Sequence, residues 1–236
     1  MSDAMPVRKI DLGAAFRWGY VAFKRKTGVL IGLAAIVVVI FIIQGFGSGP
    51  ITDILERTLA DCENLASAEC QAAVNNSMSA ILVTLVMSVF FTALASIAKY
   101  GVYRASIGLS KDRLPLLTDM LPEAHFGAFA LFAVIYSLAT IVGLGLCIVP
   151  GLVVILFFQL TPFYILDKGM SVSDALRASA SAARANIVPM LILTVFIVGT
   201  MLIGSIFFGV LTLLLLPYSL LVTAHVYRQI NAEQVY

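Results

Sequence analysis

The sequence predicts an all-α polytopic membrane protein of six transmembrane helices, arranged as three hairpins that are each preceded by an interfacial amphipathic helix, with both termini cytoplasmic. Three observations predict it. Of 236 residues, 61% are hydrophobic and 12% charged, against roughly 25% charged in a soluble domain. The charges are clustered, leaving four long stretches without any. Nearly all the bases fall in alternate gaps between the apolar stretches. This composition excludes a soluble globular protein, a disordered chain, nucleic-acid binding as the main activity, and most enzymes whose sites are built from ionisable side chains.

The first element lies ahead of the apolar stretches. Asp11 is placed to cap an interfacial helix over 11–26, with Leu12, Phe16, Tyr20 and Phe23 on one face and Arg17, Lys24 and Arg25 largely on another. The uncharged stretches then run Thr27 to Thr52, Cys70 to Ala98, Phe126 to Leu166 and Ala185 to Tyr227. A crossing of the roughly 30 Å hydrocarbon core needs about 20 apolar helical residues, so the first two stretches supply one span each and the longer two supply two. Pro150-Gly151 breaks the third stretch, and the neighbourhood of Gly204, Ser205 and Gly209 breaks the fourth. The expected spans are 29–46, 78–98, 127–147, 151–166, 187–205 and 209–227. No alternation of polarity supports a transmembrane barrel, and a helix pairs its own backbone in lipid.

Orientation follows from Lys and Arg, which favour the cytoplasmic side. With the N-terminus inside, fourteen bases and eight acids are cytoplasmic, while Arg57 alone faces Asp53, Glu56, Asp61, Glu63 and Glu69 outside. The basic N-terminal region is too long for a secretory signal, and the apolar run exceeds the roughly 7–15 residues of one, so it reads as an uncleaved anchor. The expected location is a bacterial plasma membrane.

Further interfacial helices are expected over Asp174 to Ala185, capped by Ser173, and more weakly over Pro115 to Ala124. Arg17, Lys24, Arg25, Lys26, Arg177 and Arg184 are candidates for contact with anionic lipid headgroups, or otherwise ordinary positive-inside anchors. The external acidic loop, 47–77, begins with Pro50 at a short helix start and holds Cys62 and Cys70. On the oxidising side of the membrane these two either form a disulfide or stay as free thiols. Cys147 reads as a small buried apolar residue.

An ionisable group inside a span would be a functional candidate, and the expected spans place none at mid-depth. His125 and His225 read as interfacial. This argues against an ion-coupled transporter and an intramembrane metalloprotease. The polar features within the spans are Gln159 with Thr161 and Pro162, Tyr136 with Ser137 and Thr140, and Thr212 with Pro217. Pro162 and Pro217 each remove a helical hydrogen bond and should bend their helices. Gln159, Thr161, Pro162, Tyr136 and Pro217 are therefore candidates for a substrate path or simple kinks. Thr92 and Ser96, like Ser205 and Gly209, have the spacing that lets helices approach closely. No nucleophile elbow, phosphate-binding glycine loop, Cys-x-x-Cys, His-Glu-x-x-His or calcium loop is present. No cofactor or metal is expected.

Val149-Pro150-Gly151, then Thr161-Pro162-Phe163-Tyr164-Ile165-Leu166-Asp167-Lys168-Gly169, then Ser171 to Ser179 with Ala175-Leu176-Arg177, form a recognisable pattern. It resembles the bacterial integral membrane family related to the membrane domain found on some glycerophosphodiester phosphodiesterases. The match is densest over residues 143–200, and Leu12-Gly13-Ala14-Ala15-Phe16 with Phe23-Lys24 is similar to the family's first interfacial helix. The resemblance implies a six-helix domain with interfacial helices. It imports no catalysis, because the phosphodiesterase chemistry belongs to a separate soluble domain.

The expected function is a non-catalytic accessory, assembly or scaffold subunit of a larger membrane complex, a respiratory assembly being one host of that kind. Its partners would be membrane lipids, including anionic headgroups, and other membrane protein subunits. The alternative is a small-molecule or lipid transporter or channel, with Gln159, Thr161 and Tyr136 on the path.

Overall fold

The computed structural model describes residues 10–60, 68–206 and 210–234, and side chains within them outside 45–60, 68–81, 84 and 205–206. Among the described residues there are ten α-helices and one 3-10 helix, and no strand. Five stretches are long and apolar enough to cross a membrane: Thr27–Gln44, Leu85–Ser110, Phe126–Leu146, Ile148–Lys168 and Ile187–Gly204.

Helix α1, Leu12–Arg25, starts where Asp11 accepts a hydrogen bond from the Ala14 amide at 2.8 Å, as its sequence leads one to expect. The buried stripe keeps Leu12, Phe16 and Phe23 of the expected apolar face, packed against the core, and leaves out Tyr20. Ala15, Gly19 and Ala22 are buried, Phe16 packs edge-on against Phe196, and Tyr20 is more than half exposed beneath the Lys24 ammonium. Close packing decides this: a Cβ at Gly19 would stand 2.9 Å from a Val222 methyl, so α1 meets the C-terminal helix through its small residues.

Helices α2, Thr27–Ala60, and α3, Ala68–Ala98, pack on each other along much of their length. Both continue as helix into the segment 47–77 expected as a loop. Cys62 lies outside the described residues, as does the side chain of Cys70, so their pairing does too. After α3 the backbone barely pauses. The Lys99 amide bonds to the Ala95 carbonyl and the Tyr103 amide to the Lys99 carbonyl, carrying the chain into α4, Tyr100–Ser110. The second apolar stretch therefore reaches Ser110 instead of stopping at Ala98. The weak helix expected over Pro115 to Ala124 is one 3-10 turn, Leu117–Met120.

Helices α5, Phe126–Leu146, and α6, Ile148–Phe158, are joined by Cys147 alone, in an extended conformation. So short a turn brings two backbones into contact: a Cβ on Gly143 would stand 3.0 Å from the Gly151 Cα. The turn is thus at Cys147, which is exposed instead of buried. Pro150 lies in the first turn of α6, where its missing N–H leaves no bond unmade. The helix breaks again at Gln159-Leu160 before α7, Thr161–Lys168. Pro162 lacks the N–H that would reach the Phe158 carbonyl, and the Phe157 carbonyl accepts from Ser179 Oγ at 2.7 Å. Gly169 closes α7 at φ +64°, and a side chain there would meet the His125 ring. Helix α8, Val172–Ala185, is capped by Ser171 and not Ser173, because this left-handed turn starts the helix earlier.

Helix α9, Ile187–Ile206, leads to α10, Thr212–Ile230, the helix of the expected sixth span. α10 is buried almost continuously from Leu216 to Arg228 and packs on α1, α2, α4 and α9. It is absent from the five strongly apolar stretches because its second half carries Thr223, His225, Tyr227 and Arg228. Taken in contact order, α9, α10, α2, α3, α5 and α6 close a ring in which each packs on the next and α6 returns to α9.

Candidate ligand cavity

Inside this ring lies a cavity of about 70 Å³. Phe129, Phe132 and Ile155 supply apolar wall, while Ser96, Lys99, Tyr103, Tyr136, Gln159, Ser219 and Thr223 bring polar groups from α3, α4, α5, the α6/α7 break and α10. The break at Pro162 is what presents Gln159 here. Gln159 is 6% exposed. Its amide nitrogen faces Thr194 Oγ1 at 3.2 Å, the Met190 carbonyl at 3.3 Å and the Leu156 carbonyl at 3.4 Å, and its Oε1 has no hydrogen-bond partner.

The walls are tied by hydroxyls and rings. Ser137 donates to the Ala133 carbonyl at 2.7 Å, so Ser96 is the donor in their 3.1 Å contact between α3 and α5. Tyr136 stacks on Phe132, and Tyr103 is wedged edge-on between Phe129 and Phe163. Thr223 and Ser219 donate back to α10 carbonyls, leaving their lone pairs for other groups.

Lys99 is the charged group of this lining. It lies eleven residues before Ser110, roughly 16 Å along a helix. Its ammonium is 6.0 Å from the Phe41 ring centre, and among the described residues it makes no ion pair. Lys99 thus lies within a stretch apolar enough to cross a membrane, whereas the expected span 78–98 stops one residue before it. A signal was available in the sequence: the eleven residues after Lys99 contain a single charge, Arg104, so a window tolerant of two charges extends the span through Lys99.

The carboxylates are committed elsewhere, mostly at the end of the bundle where the bases gather. Asp167, its side chain 4% exposed, accepts from Tyr227 at 3.1 Å and pairs with Lys111 at 2.5 Å, joining α7, α10 and the end of α4. Asp119 pairs with Arg113 at 2.8 Å and accepts from the Leu116 amide. Glu123 holds Arg104, Asp112 holds Arg25, and Glu233 holds Arg228 and Lys168. Asp11 and Asp174 serve the starts of α1 and α8.

Of the sequence-derived candidates, Gln159, Pro162 and Tyr136 come together at the cavity. Thr161 and Pro217 do not line it. Thr161 is fully buried at the start of α7 with Oγ1 unpartnered, and Pro217 is buried within α10. Arg17, Lys24, Arg25, Lys26, Arg177 and Arg184 are all exposed on α1, at its end, or on α8. Lys99, Tyr103, Ser219 and Thr223 were missed, because their convergence depends on which helices are neighbours.

A family described as a domain of unknown function, DUF7847, matches residues 116–235. No curated protein and no solved structure matches the chain. The matched region runs from just before α5 through α10 and supplies all of the cavity wall except Ser96, Lys99 and Tyr103.

Proposed function

The chain belongs to the DUF7847 family, a kinship that brings no activity with it, and from the cavity we propose that it is a non-catalytic integral membrane protein that takes a small molecule or lipid headgroup into its helix bundle, as a transporter or channel does. The observation that carries this reading is a mostly apolar cavity with seven polar side chains in its lining, one of them Gln159, whose side-chain Oε1 has no hydrogen-bond partner. A buried acceptor left without a donor is costly, and a ligand relieves that cost.

The same reading places the protein in a bacterial plasma membrane with six crossings, α10 being the sixth, and both termini cytoplasmic. The excess of fourteen bases over eight acids on that side supports the orientation. Helices α1 and α8 then lie along the cytoplasmic face, with Arg17, Lys24, Arg177 and Arg184 exposed towards anionic headgroups. The resemblance of residues 143–200 to the membrane domain of glycerophosphodiester phosphodiesterases fits this arrangement.

The test is reconstitution into liposomes, with flux measured for a panel of small solutes and for fluorescently labelled phospholipids. Ala133→Trp, which fills the cavity from α5, is expected to abolish whatever flux the wild-type chain supports. Absence of flux for every probe, or flux indifferent to the tryptophan, sinks the reading.

A second reading, an accessory or assembly subunit of a larger membrane complex, draws support from the lengths of α2 and α3. At 34 and 31 residues they reach roughly 50 Å and 46 Å, beyond a core of about 30 Å. The overhang suits a docking arm for another subunit. Gentle-detergent purification at native abundance checks it, and a chain that elutes alone removes it.

A further inference from the structure

We propose that the cavity selects an anionic ligand, an oxyanion of the phosphate type that keeps one O–H, paired by Lys99 and oriented by Gln159 Oε1; this rests on the ligand-binding reading above. The argument begins with charge. An ammonium deep in a membrane helix is stable only when paired or hydrated. Each of the seven acids whose side chain is described has its own partner away from the cavity, five in ion pairs and two at helix starts. Lys99 therefore has no protein counter-charge among the described residues, and a bound anion supplies one.

The neighbouring polar atoms define the rest of the ligand. Among the described residues the Tyr103 hydroxyl makes no hydrogen bond to the protein, so it is a donor for an anionic oxygen. Gln159 Oε1 is an unpartnered acceptor on a side chain more than nine-tenths buried. The matching ligand carries negative charge and one remaining O–H or N–H, as a singly protonated phosphate or the monoanion of a phosphate monoester does. The cavity's 70 Å³ is room for roughly five waters at about 10–15 Å³ each, which is the size of a tetrahedral oxyanion and too small for a nucleotide. A free anion and the headgroup of an anionic lipid share this chemistry.

The experiment uses the full chain in phosphatidylcholine nanodiscs, titrated calorimetrically with inorganic phosphate, acetate, dihexanoyl phosphatidic acid and, as the uncharged probe, dihexanoylglycerol. At least one anionic probe is expected to bind. Lys99→Met should weaken it by about thirty-fold or more, as loss of one partner of a buried charge pair does. Lys99→Arg should stay near wild type, and Gln159→Leu should cost about five-fold, a single hydrogen bond's worth. Binding of phosphate identifies a free anion, with acetate, which has no O–H to donate, expected to bind more weakly; binding of the phosphatidic acid alone identifies a lipid headgroup. Anion binding that survives Lys99→Met overturns the proposal. So does uptake of dihexanoylglycerol alone, blocked by Ala133→Trp, although that result leaves the ligand-binding reading intact. If no probe binds, both readings fall. Should Lys99→Met not yield folded protein, Ala133→Trp replaces it, and anion binding undisturbed by the filled cavity counts against the proposal.

Discussion

Two polar regions of this bundle obey opposite rules. At the basic end, Asp167, Asp119, Glu123 and Glu233 each meet a cation, and the pairs tie α4, α7 and α10 to the loops between them. In the middle of the bundle, Lys99 has no acid and Gln159 Oε1 no donor among the described residues. Each region holds a buried polar side chain, Asp167 at 4% exposed in the first and Gln159 at 6% in the second, so burial alone does not separate architecture from function. The difference lies in ion pairing: each of those acids has a cation, although Asp167 Oδ1 and Arg228 Nε lack a hydrogen-bond partner, whereas Lys99 has no acid among the described residues. Paired charges hold helices together, whereas an unpaired one is costly unless something else pairs it.

The comparison can be broken by mutation. The largest effect is expected at Asp167, whose replacement by alanine strands a buried tyrosine hydroxyl and releases Lys111. Asp167→Ala should cost about 3 kcal/mol, less than a fully buried pair because Lys111 is half exposed. Thermal unfolding in detergent reads this, and an unchanged midpoint would mean the basic end is not architectural. Next comes Gly19→Leu, which drives a side chain into Val222 and should cost about 2 kcal/mol by overpacking while lifting α1 from α10. Protease sensitivity of α1 in nanodiscs checks it.

Lys99→Met should change stability by no more than about 1 kcal/mol in the ligand-free protein, and towards greater stability, since it removes a charge that has no protein partner. A large destabilisation would place Lys99 with the architectural charges and erase the contrast. The smallest effect is expected for Arg177→Gln on the exposed face of α8, within about 0.5 kcal/mol in detergent. Its effect should grow in vesicles containing anionic lipid, measured as a shift in α8 accessibility to a water-soluble probe.

Some of this was legible before any fold was known. Asp11 and the amphipathic run after it define α1, because an N-cap is a contact between residues three apart. Pro162 defines the α6/α7 break for the same local reason, and with it the presentation of Gln159. Other features were not legible, since they depend on neighbours distant in sequence. Tyr20 lost the packed face of α1 to Gly19 because Val222, some two hundred residues away, comes so close. The α5/α6 turn fell at Cys147 and not at Pro150-Gly151, because two glycines allow the backbones to touch. Lys99 was read as the end of a span, whereas the helical ladder continues through it.

By itself, the sequence determined that the chain is helical and carries several stretches that suit a membrane, because apolar length and low charge act locally on each segment. It could also sort the bases from the acidic segment. Only the tertiary structure decided that α10, the least apolar of the long helices, is enclosed from Leu216 to Arg228, and that Lys99, Tyr103, Tyr136 and Gln159 share one cavity. Hydropathy is a property of a segment, whereas enclosure and pairing are properties of the ring that segments form together.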